Sequence, residues 1–148
     1  LDDVLYDYFA DSQWEDLIES YVCLLQPTSP LRSVKDILEG YKHIQKKKYW
    51  SVVGVTWNPI MGWVEKPSNK GPICMYLVND RPNRQNRPDF FLENGAIYWT
   101  KLSILMNQKS RIGSPLMTKL LHMPPERSME VDSSFDWYLA EKASEYER

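Results

Sequence analysis

Glycine is scarce in this sequence. There are six in 148 residues, and none forms a G-x-G-x-x-G or G-x-x-x-x-G-K-[ST] loop. Dinucleotide binding and P-loop chemistry of the usual kind are therefore unsupported within the chain. Cysteine is scarcer still, with only Cys23 and Cys74, and no Cys-x-x-Cys or Cys/His cluster suggests zinc. Each cysteine sits in a short apolar run, which reads as a buried free thiol in a reducing compartment. The two histidines, His43 and His122, have no Ser/His/Asp or Cys/His company in the sequence. No apolar run approaches the ~18 residues of a membrane span. Residues 1–148 do not open on a basic, apolar, small-residue pattern. These features make the cytoplasm the expected location. Positive charge is not in excess either, since the formal net charge is −2. Without a basic field, neither nucleic acid nor an anionic membrane is an expected partner.

What is present is one domain's worth of globular chain, with 43% hydrophobic and 13% aromatic residues. Residues 1–9 have helical apolar spacing. Ser12-Gln-Trp-Glu15 has the form of a capping box before a short helical turn. Residues 21–25 (YVCLL) form a short apolar run, the mark of a strand buried on both faces. Gln26-Pro-Thr-Ser-Pro30 then forces a stiff loop. Ser33 caps the next helix with Asp36 at its third position, and Val34, Ile37, Leu38, Tyr41 and Ile44 form the apolar stripe. Residues 49–56 (YWSVVGVT) read as the next strand.

A strand–helix–strand unit with buried strands predicts a doubly wound α/β sheet. Ligands in such sheets bind beyond the C-terminal ends of the strands, which is where Gln26-Pro-Thr-Ser falls. Residues 57–93 differ in character: they are turn-rich, include an apolar run at 73–78, and end in a loop with Arg81, Arg84 and Arg87. This reads as an excursion of the kind that serves as a dimer arm. Further strands are expected at 96–99, 118–123 and 129–131, with helices over 101–108 and after Ser133. Phe135, Tyr138, Leu139 and Tyr146 are the expected buried face of that last helix.

Four groups of residues can carry chemistry. On a strand, Glu130 and Asp132 point to one side, because side chains two apart share a face. Paired carboxylates at a strand end suit a hard cation such as Mg2+, and equally suit a solvated strand end. Gln26 and its neighbours offer amide and hydroxyl groups on a rigid loop; the plainer reading is a well-made turn in which Arg32 pairs a nearby carboxylate. Each loop arginine can pair a phosphate or carboxylate through two hydrogen bonds, or stay in water. Asn94 and Tyr98, around Gly95, can bond a polar ligand or form an ordinary turn entering a strand.

The order and spacing of these pieces are more specific than any one of them. Leu24-Leu-Gln-Pro-Thr-Ser-Pro-Leu-Arg32, Arg84-Gln85, Asn94-Gly-Ala-Ile-Tyr98 and Ser128-Met-Glu-Val-Asp-Ser-Ser-Phe-Asp136 in sequence resemble the acylneuraminate cytidylyltransferases, the CMP-sialic acid synthetases and their relatives. The resemblance implies an α/β, Rossmann-like fold with a mixed, mainly parallel sheet flanked by helices. It implies an inserted arm at 57–93 that makes a homodimer. The implied reaction joins CTP to a nine-carbon 2-keto sugar acid, releasing pyrophosphate with Mg2+ as cofactor. Glu130 and Asp132 fall on the family's metal-binding D-x-D, with Glu in place of the first Asp. Gln26, Asn94 and Tyr98 fall on sugar-contacting positions, and Arg84 on an arginine that reaches the partner's site.

Two departures, Met61 in the arm and Gly113-Ser-Pro-Leu-Met117 before the 118–123 strand, imply a nonulosonic acid of legionaminic or pseudaminic type. The family's glycine-, arginine- and lysine-rich CTP loop has no counterpart in residues 1–148. The chain is therefore expected to be a single partial domain, the C-terminal portion of the enzyme, with its first strand upstream and no activity alone. The competing expectation is a non-catalytic sugar-acid-binding or dimerisation module of the same fold.

Overall fold

A computed structural model describes residues 1–10, 12–59, 61–65, 71–76, 79–81, 83–86 and 89–146, except the side chains of Ser12, Gln13, Glu15, Arg84 and Tyr146. The chain forms two compact units, one of Leu1–Thr56 with Glu93–Arg148 and one of Trp57–Leu92.

The first unit is built on four strands: β1 (Tyr21–Leu24), β2 (Ser51–Trp57), β5 (Phe91–Lys101) and β6 (Thr118–His122). Their order across the sheet is β1-β5-β2-β6. β1 pairs antiparallel with β5, Tyr21 opposite Lys101 and Leu24 opposite Tyr98. β2 pairs parallel with β6, Ser51 opposite Thr118 and Val55 opposite His122. Between them, Lys101 N–H bonds the Trp50 carbonyl, and Gly54 lies against the backbone of Ile97, so β5 also opposes β2. Three strands thus run one way and β5 runs back between them. This is the expected mixed α/β sheet, but not a mainly parallel one: both pairings of β5 are antiparallel and only β2–β6 is parallel. The C-terminal ends of β1, β2 and β6 share one edge with the start of β5.

Helices α1 (Asp2–Phe9), α2 (Val34–Gln45), α3 (Leu102–Gln108) and α4 (Ser134–Tyr146) flank this sheet. Residues 51–55 of β2 are all buried, as expected of a strand covered on both faces. Val52, Ala96, Ile97, Leu121 and Met123 form the core with Ile44 of α2. The N-terminus of α2 carries the capping box that Ser33 and Asp36 predict. Its apolar stripe is rotated from the expected position, because Val34, Leu38 and Tyr41 are exposed while Gly40 and Ile44 face inward. Gly40 explains the rotation. The Trp99 indole lies 2.7 Å from where a side chain at Gly40 would begin, so the helix sits close to the sheet along this line. The last helix differs in the same way: Ala140 is buried, whereas Phe135 and Tyr138 are exposed. Its Tyr146 side chain lies outside the described residues.

Residues 129–131 are not a strand. Their only described backbone link to the sheet side is Val131 N–H to the Thr28 carbonyl, at 2.7 Å. Pro124 and Pro125, which have no N–H to give, stand just before this segment and open a 3-10 turn at Pro125–Arg127. Among the described residues, no helix is long and apolar enough to cross a membrane.

Both cysteines are free. Burial pushes the Cys23 thiol up to about 11, with Arg32 opposing weakly. Thiolate is the reactive form, so Cys23 is expected to resist iodoacetamide at pH 8 in the folded chain and to react after denaturation. Mass spectrometry checks this; rapid labelling of Cys23 without denaturant would contradict its placement.

In the second unit, β3 (Trp63–Val64) and β4 (Ile73–Cys74) form a two-stranded antiparallel hairpin. The strand expected at 73–78 is therefore shorter, and Leu77 and Val78 lie outside the described residues. The Trp63 and Tyr76 rings meet edge to face at 6.0 Å. Trp57 Nε1 donates to Asp89 at 3.2 Å, and Asn58 N–H bonds the Phe90 carbonyl at 2.8 Å. Trp57, Trp63, Val64, Ile73 and Met75 are exposed.

Candidate functional site

Three segments meet at the edge where β1, β2 and β6 end. The first is the loop after β1. Its two prolines stop the ladder, and Ser29 N–H returns to the Gln26 carbonyl at 3.2 Å. The Arg32 guanidinium donates to the carbonyls of Gln26 and Ser29, so it holds the loop shut, and among the described residues no carboxylate is seen to pair with it. Ser29 is completely buried and donates from Oγ to the Asn94 carbonyl at 3.2 Å. This ties the loop to the second segment.

That second segment is the start of β5. Asn94 is buried, and both ends of its amide are engaged. Oδ1 accepts from Ala96 N–H at 3.2 Å. Nδ2 donates to Ser128 Oγ at 2.9 Å and lies 3.3 Å from Met123 Sδ. Asn94 thus braces the edge from beneath. Gly95 follows with φ +66°, a left-handed conformation that glycine adopts at no steric cost.

The third segment runs from 123 to 132. Met123 N–H extends the parallel pairing to the Val55 carbonyl at 2.8 Å. Arg127 grips Asp36 through two bonds, Nε to Oδ2 at 2.8 Å and Nη2 to Oδ1 at 2.9 Å. Ser128 Oγ donates to the Pro124 carbonyl, and Val131 N–H reaches Thr28. A segment whose only regular structure is the 3-10 turn Pro125–Arg127 is therefore fixed at several points.

The three segments converge over Gly95. A side chain there would begin 2.7 Å from Glu130 Oε1 and 2.9 Å from Gln26 Oε1. The bare backbone leaves a cradle in which a carboxylate oxygen and an amide oxygen come close together. Asp132, two residues beyond Glu130, is exposed, and its N–H donates to Asp136 Oδ2 at 3.2 Å. Bonds from the Ser133 hydroxyl, then from the Asp132 and Ser133 N–H groups, hold the Asp136 carboxyl below its usual range and cap α4. Oxygen donors on an open, solvated edge are the type a hard cation takes while keeping several waters, so Glu130 and Asp132 fit Mg2+ in kind. Among the described residues, no group of three or more His, Cys, Asp or Glu side chains could hold a metal ion. With no strand at 129–131, the expected sharing of one face by the two carboxylates lapses, and of the pair only Glu130 is placed at the cradle.

Tyr98 lies on the same strand, only 3% exposed. Its hydroxyl donates to Glu93 Oε2 at 3.0 Å, and the Arg111 guanidinium sits 4.6 Å over its ring. Burial, foremost, and the Glu93 carboxylate push the phenol up to about 12; Glu130 adds to this and Arg111 opposes it. Glu93 and Arg111 are not visible as site residues in the sequence. Residues five apart on a regular strand face opposite sides, so nothing in the spacing joins Glu93 to Tyr98. The left-handed Gly95 between them breaks that alternation.

Of the sequence-predicted residues, Gln26 and Glu130 come together over Gly95, with Asn94 and Tyr98 behind. The Arg84 side chain lies outside the described residues, as does Arg87. Residues 113–117 precede β6, at the opposite edge of the sheet, where Gly113 N–H bonds Ser51 Oγ at 3.1 Å. They do not wall the Gly95 cradle, so their sequence says nothing about a ligand held there. An apolar cavity of about 230 Å³ between Pro30, Leu31, Trp137 and Ala140 includes neither of the converging oxygens.

No family model matches the chain. Individual proteins do. It is 31% identical over 143 residues to CMP-N,N'-diacetyllegionaminic acid synthase of Legionella pneumophila, a match covering 94% of this chain and 60% of the relative. It is 29% identical over 130 residues to N-acylneuraminate cytidylyltransferase A of Danio rerio, covering 82% of this chain and 28% of the relative. The chain is a homologue of the acylneuraminate cytidylyltransferases. The B form from Danio rerio matches over a similar stretch, at 28% identity over 124 residues. The chain spans between about a quarter and three fifths of the length of these relatives. At 94% of this chain, the Legionella pneumophila match takes in both the loop after β1 and the acidic segment that meets it.

Proposed function

We propose that this chain forms the sugar-acid and metal-binding part of a cytidylyltransferase. The enzyme moves CMP from CTP to a sialic-acid-like nonulosonic acid and releases pyrophosphate. The observation that supports this best is the meeting of Gln26 and Glu130 over Gly95, at the sheet edge where α/β folds place their ligands. The cytidylyltransferase homologues supply the reaction class.

In this reading Gln26 bonds the sugar acid, and Asn94 keeps the backbone beneath it in place. Tyr98 lines the pocket. Glu130 and Asp132 hold Mg2+, which when bound neutralises charge on the triphosphate as the α-phosphorus is attacked. The chain's own share is positioning and electrostatics, the usual means of catalysing such transfers. Glu130 reaches the cradle with one methylene more than an aspartate would need. The exposed apolar hairpin of the second unit suits an arm that buries itself against another copy, since clustered exposed apolar groups mark interaction surfaces. In such a homodimer, Arg84 serves the partner's site. The cytoplasm, where CTP is available, is the proposed location.

The test is pyrophosphate release from CTP by the protein carrying this chain, assayed with a panel of nonulosonic acids. Release is expected only when CTP and a suitable acid are both present. Sugar binding without release would point instead to a non-catalytic module. Within that assay, Asp132→Ala is expected to lower turnover by about two to three orders of magnitude, as loss of a metal ligand should. Unchanged turnover would remove the metal assignment.

A further inference from the structure

Glu93 is an exposed carboxylate that does not behave like a surface glutamate. Its Oε2 is fixed by the hydroxyl of Tyr98, a residue itself nearly buried and covered by the Arg111 guanidinium. A side chain that would otherwise sample many rotamers is thereby held in one direction. On β5 it stands two residues before Gly95, the position the Gln26 and Glu130 oxygens approach. Of the groups that bear on the Tyr98 hydroxyl, Glu93 acts through contact and Glu130 contributes least.

The hydrogen-bond inventory then limits what Tyr98 can do. A phenol has one hydrogen to donate, and here it goes to Glu93. Toward a ligand the phenol offers only a lone pair. The Glu93 carboxylate, by contrast, is an acceptor, and among the described residues no hydrogen bond engages its Oε1. Its partner must bring O–H or N–H groups. The phosphates of a nucleotide and the carboxylate of a sugar acid have none and are repelled; the ribose hydroxyls and cytosine amino group of CTP do donate, so KM for CTP is the readout that separates the two substrates. The hydroxyl and amide N–H groups of a polyhydroxylated sugar are the complementary chemistry.

From this geometry we infer that Glu93, oriented by Tyr98, is the acceptor that reads hydroxyl or amide N–H donors of the sugar acid. The inference rests on the cytidylyltransferase reading and deepens it: Glu93 touches the substrate, while Tyr98 is a positioning residue acting through it. Neither is required to bind the nucleotide.

Steady-state kinetics of the protein carrying this chain test it, with Glu93→Gln, Glu93→Ala, Tyr98→Phe and the Glu93→Gln/Tyr98→Phe pair. Glu93→Ala is expected to raise KM for the sugar acid about tenfold or more while KM for CTP stays put. Glu93→Gln keeps one acceptor oxygen and should fall between Glu93→Ala and the parent. Tyr98→Phe should raise the sugar KM less than Glu93→Ala does. The pair should be no worse than Glu93→Gln alone, because groups acting through one contact are not additive. Saturation-transfer NMR of the sugar acid on the same variants gives a second readout, independent of turnover, with weakened transfer expected.

An unchanged sugar KM and unchanged transfer in Glu93→Ala would overturn the inference and leave the cytidylyltransferase reading standing. So would a raised Mg2+ requirement with an unchanged sugar KM, since Glu93 would then serve the metal. Failure of the unaltered protein to release pyrophosphate with any nonulosonic acid would overturn the underlying reading and the inference together.

Discussion

Gly95→Ala is expected to leave a folded protein that has lost its site. Two effects act at this position. The backbone has φ +66°, where a side chain costs about 1–2 kcal/mol. The new methyl would also start 2.7 Å from Glu130 Oε1 and 2.9 Å from Gln26 Oε1. Both atoms are the ends of flexible side chains, so they can retreat, and stability should fall only modestly. Their retreat is what matters for function. Displacing a positioned group by about an ångström can cost about a hundredfold in rate. We therefore expect a small drop in thermal midpoint together with a loss of sugar-dependent pyrophosphate release of about a hundredfold. Circular dichroism melting and the pyrophosphate assay on one preparation separate the two. Full activity in Gly95→Ala would mean that the cradle is not where substrate or metal sits.

Arg127→Leu is expected to do the reverse, with a large effect on stability that reaches the site through it. Asp36 is buried at the third position of α2, and Arg127 bonds both its oxygens from the segment leading to Glu130. Removing the guanidinium strands a buried carboxylate, at a cost of about 3 kcal/mol. It also cuts one of the ties that hold residues 123–132. The pH dependence identifies the cause. Burial alone would raise the Asp36 carboxyl, but the Arg127 and Ser33 bonds outweigh it and hold the group below the usual carboxylate range. A group lowered in the folded state stabilises the fold above its unfolded pKa, about 3.9, and that contribution fades as pH falls through the folded value. In Arg127→Leu the burial penalty is no longer outweighed in this way. The variant's deficit in urea denaturation should therefore be widest near pH 7 and narrow below about pH 4. A deficit that stayed the same from pH 7 to pH 3 would show that the ion pair is not its source.

The parts of the fold that follow local rules were legible in the sequence. Ser33 and Asp36 mark the start of α2, the 49–56 run marks a strand buried on both faces, and the two prolines after Gln26 mark the loop at the sheet's edge. The meeting of Glu130 with Gln26 was not legible, because the strand expected at 129–131 is an irregular segment. Glu130 reaches the cradle from an irregular segment held by Arg127, Ser128 and Val131, and such long-range ties leave no periodic trace. Periodicity placed helices at α2 and α4 but turned the wrong faces inward. The roll of each is set by the close approach of Trp99 to Gly40, and by Ala140 on the docked face of α4. The Glu93–Tyr98 contact was the least legible of all. It depends on a single left-handed residue that reverses the expected alternation.

Titration of Mn2+ into the 15N-labelled chain tests the central claim, that the Gly95 cradle and the acidic pair form one cation-holding site. Paramagnetic broadening should appear first at the amides of Gly95, Glu130, Val131 and Asp132 and at the side-chain NH2 of Gln26. It should disappear there in Asp132→Ala. Sharp signals at these positions while others broaden, or the same pattern in Asp132→Ala, would contradict the account.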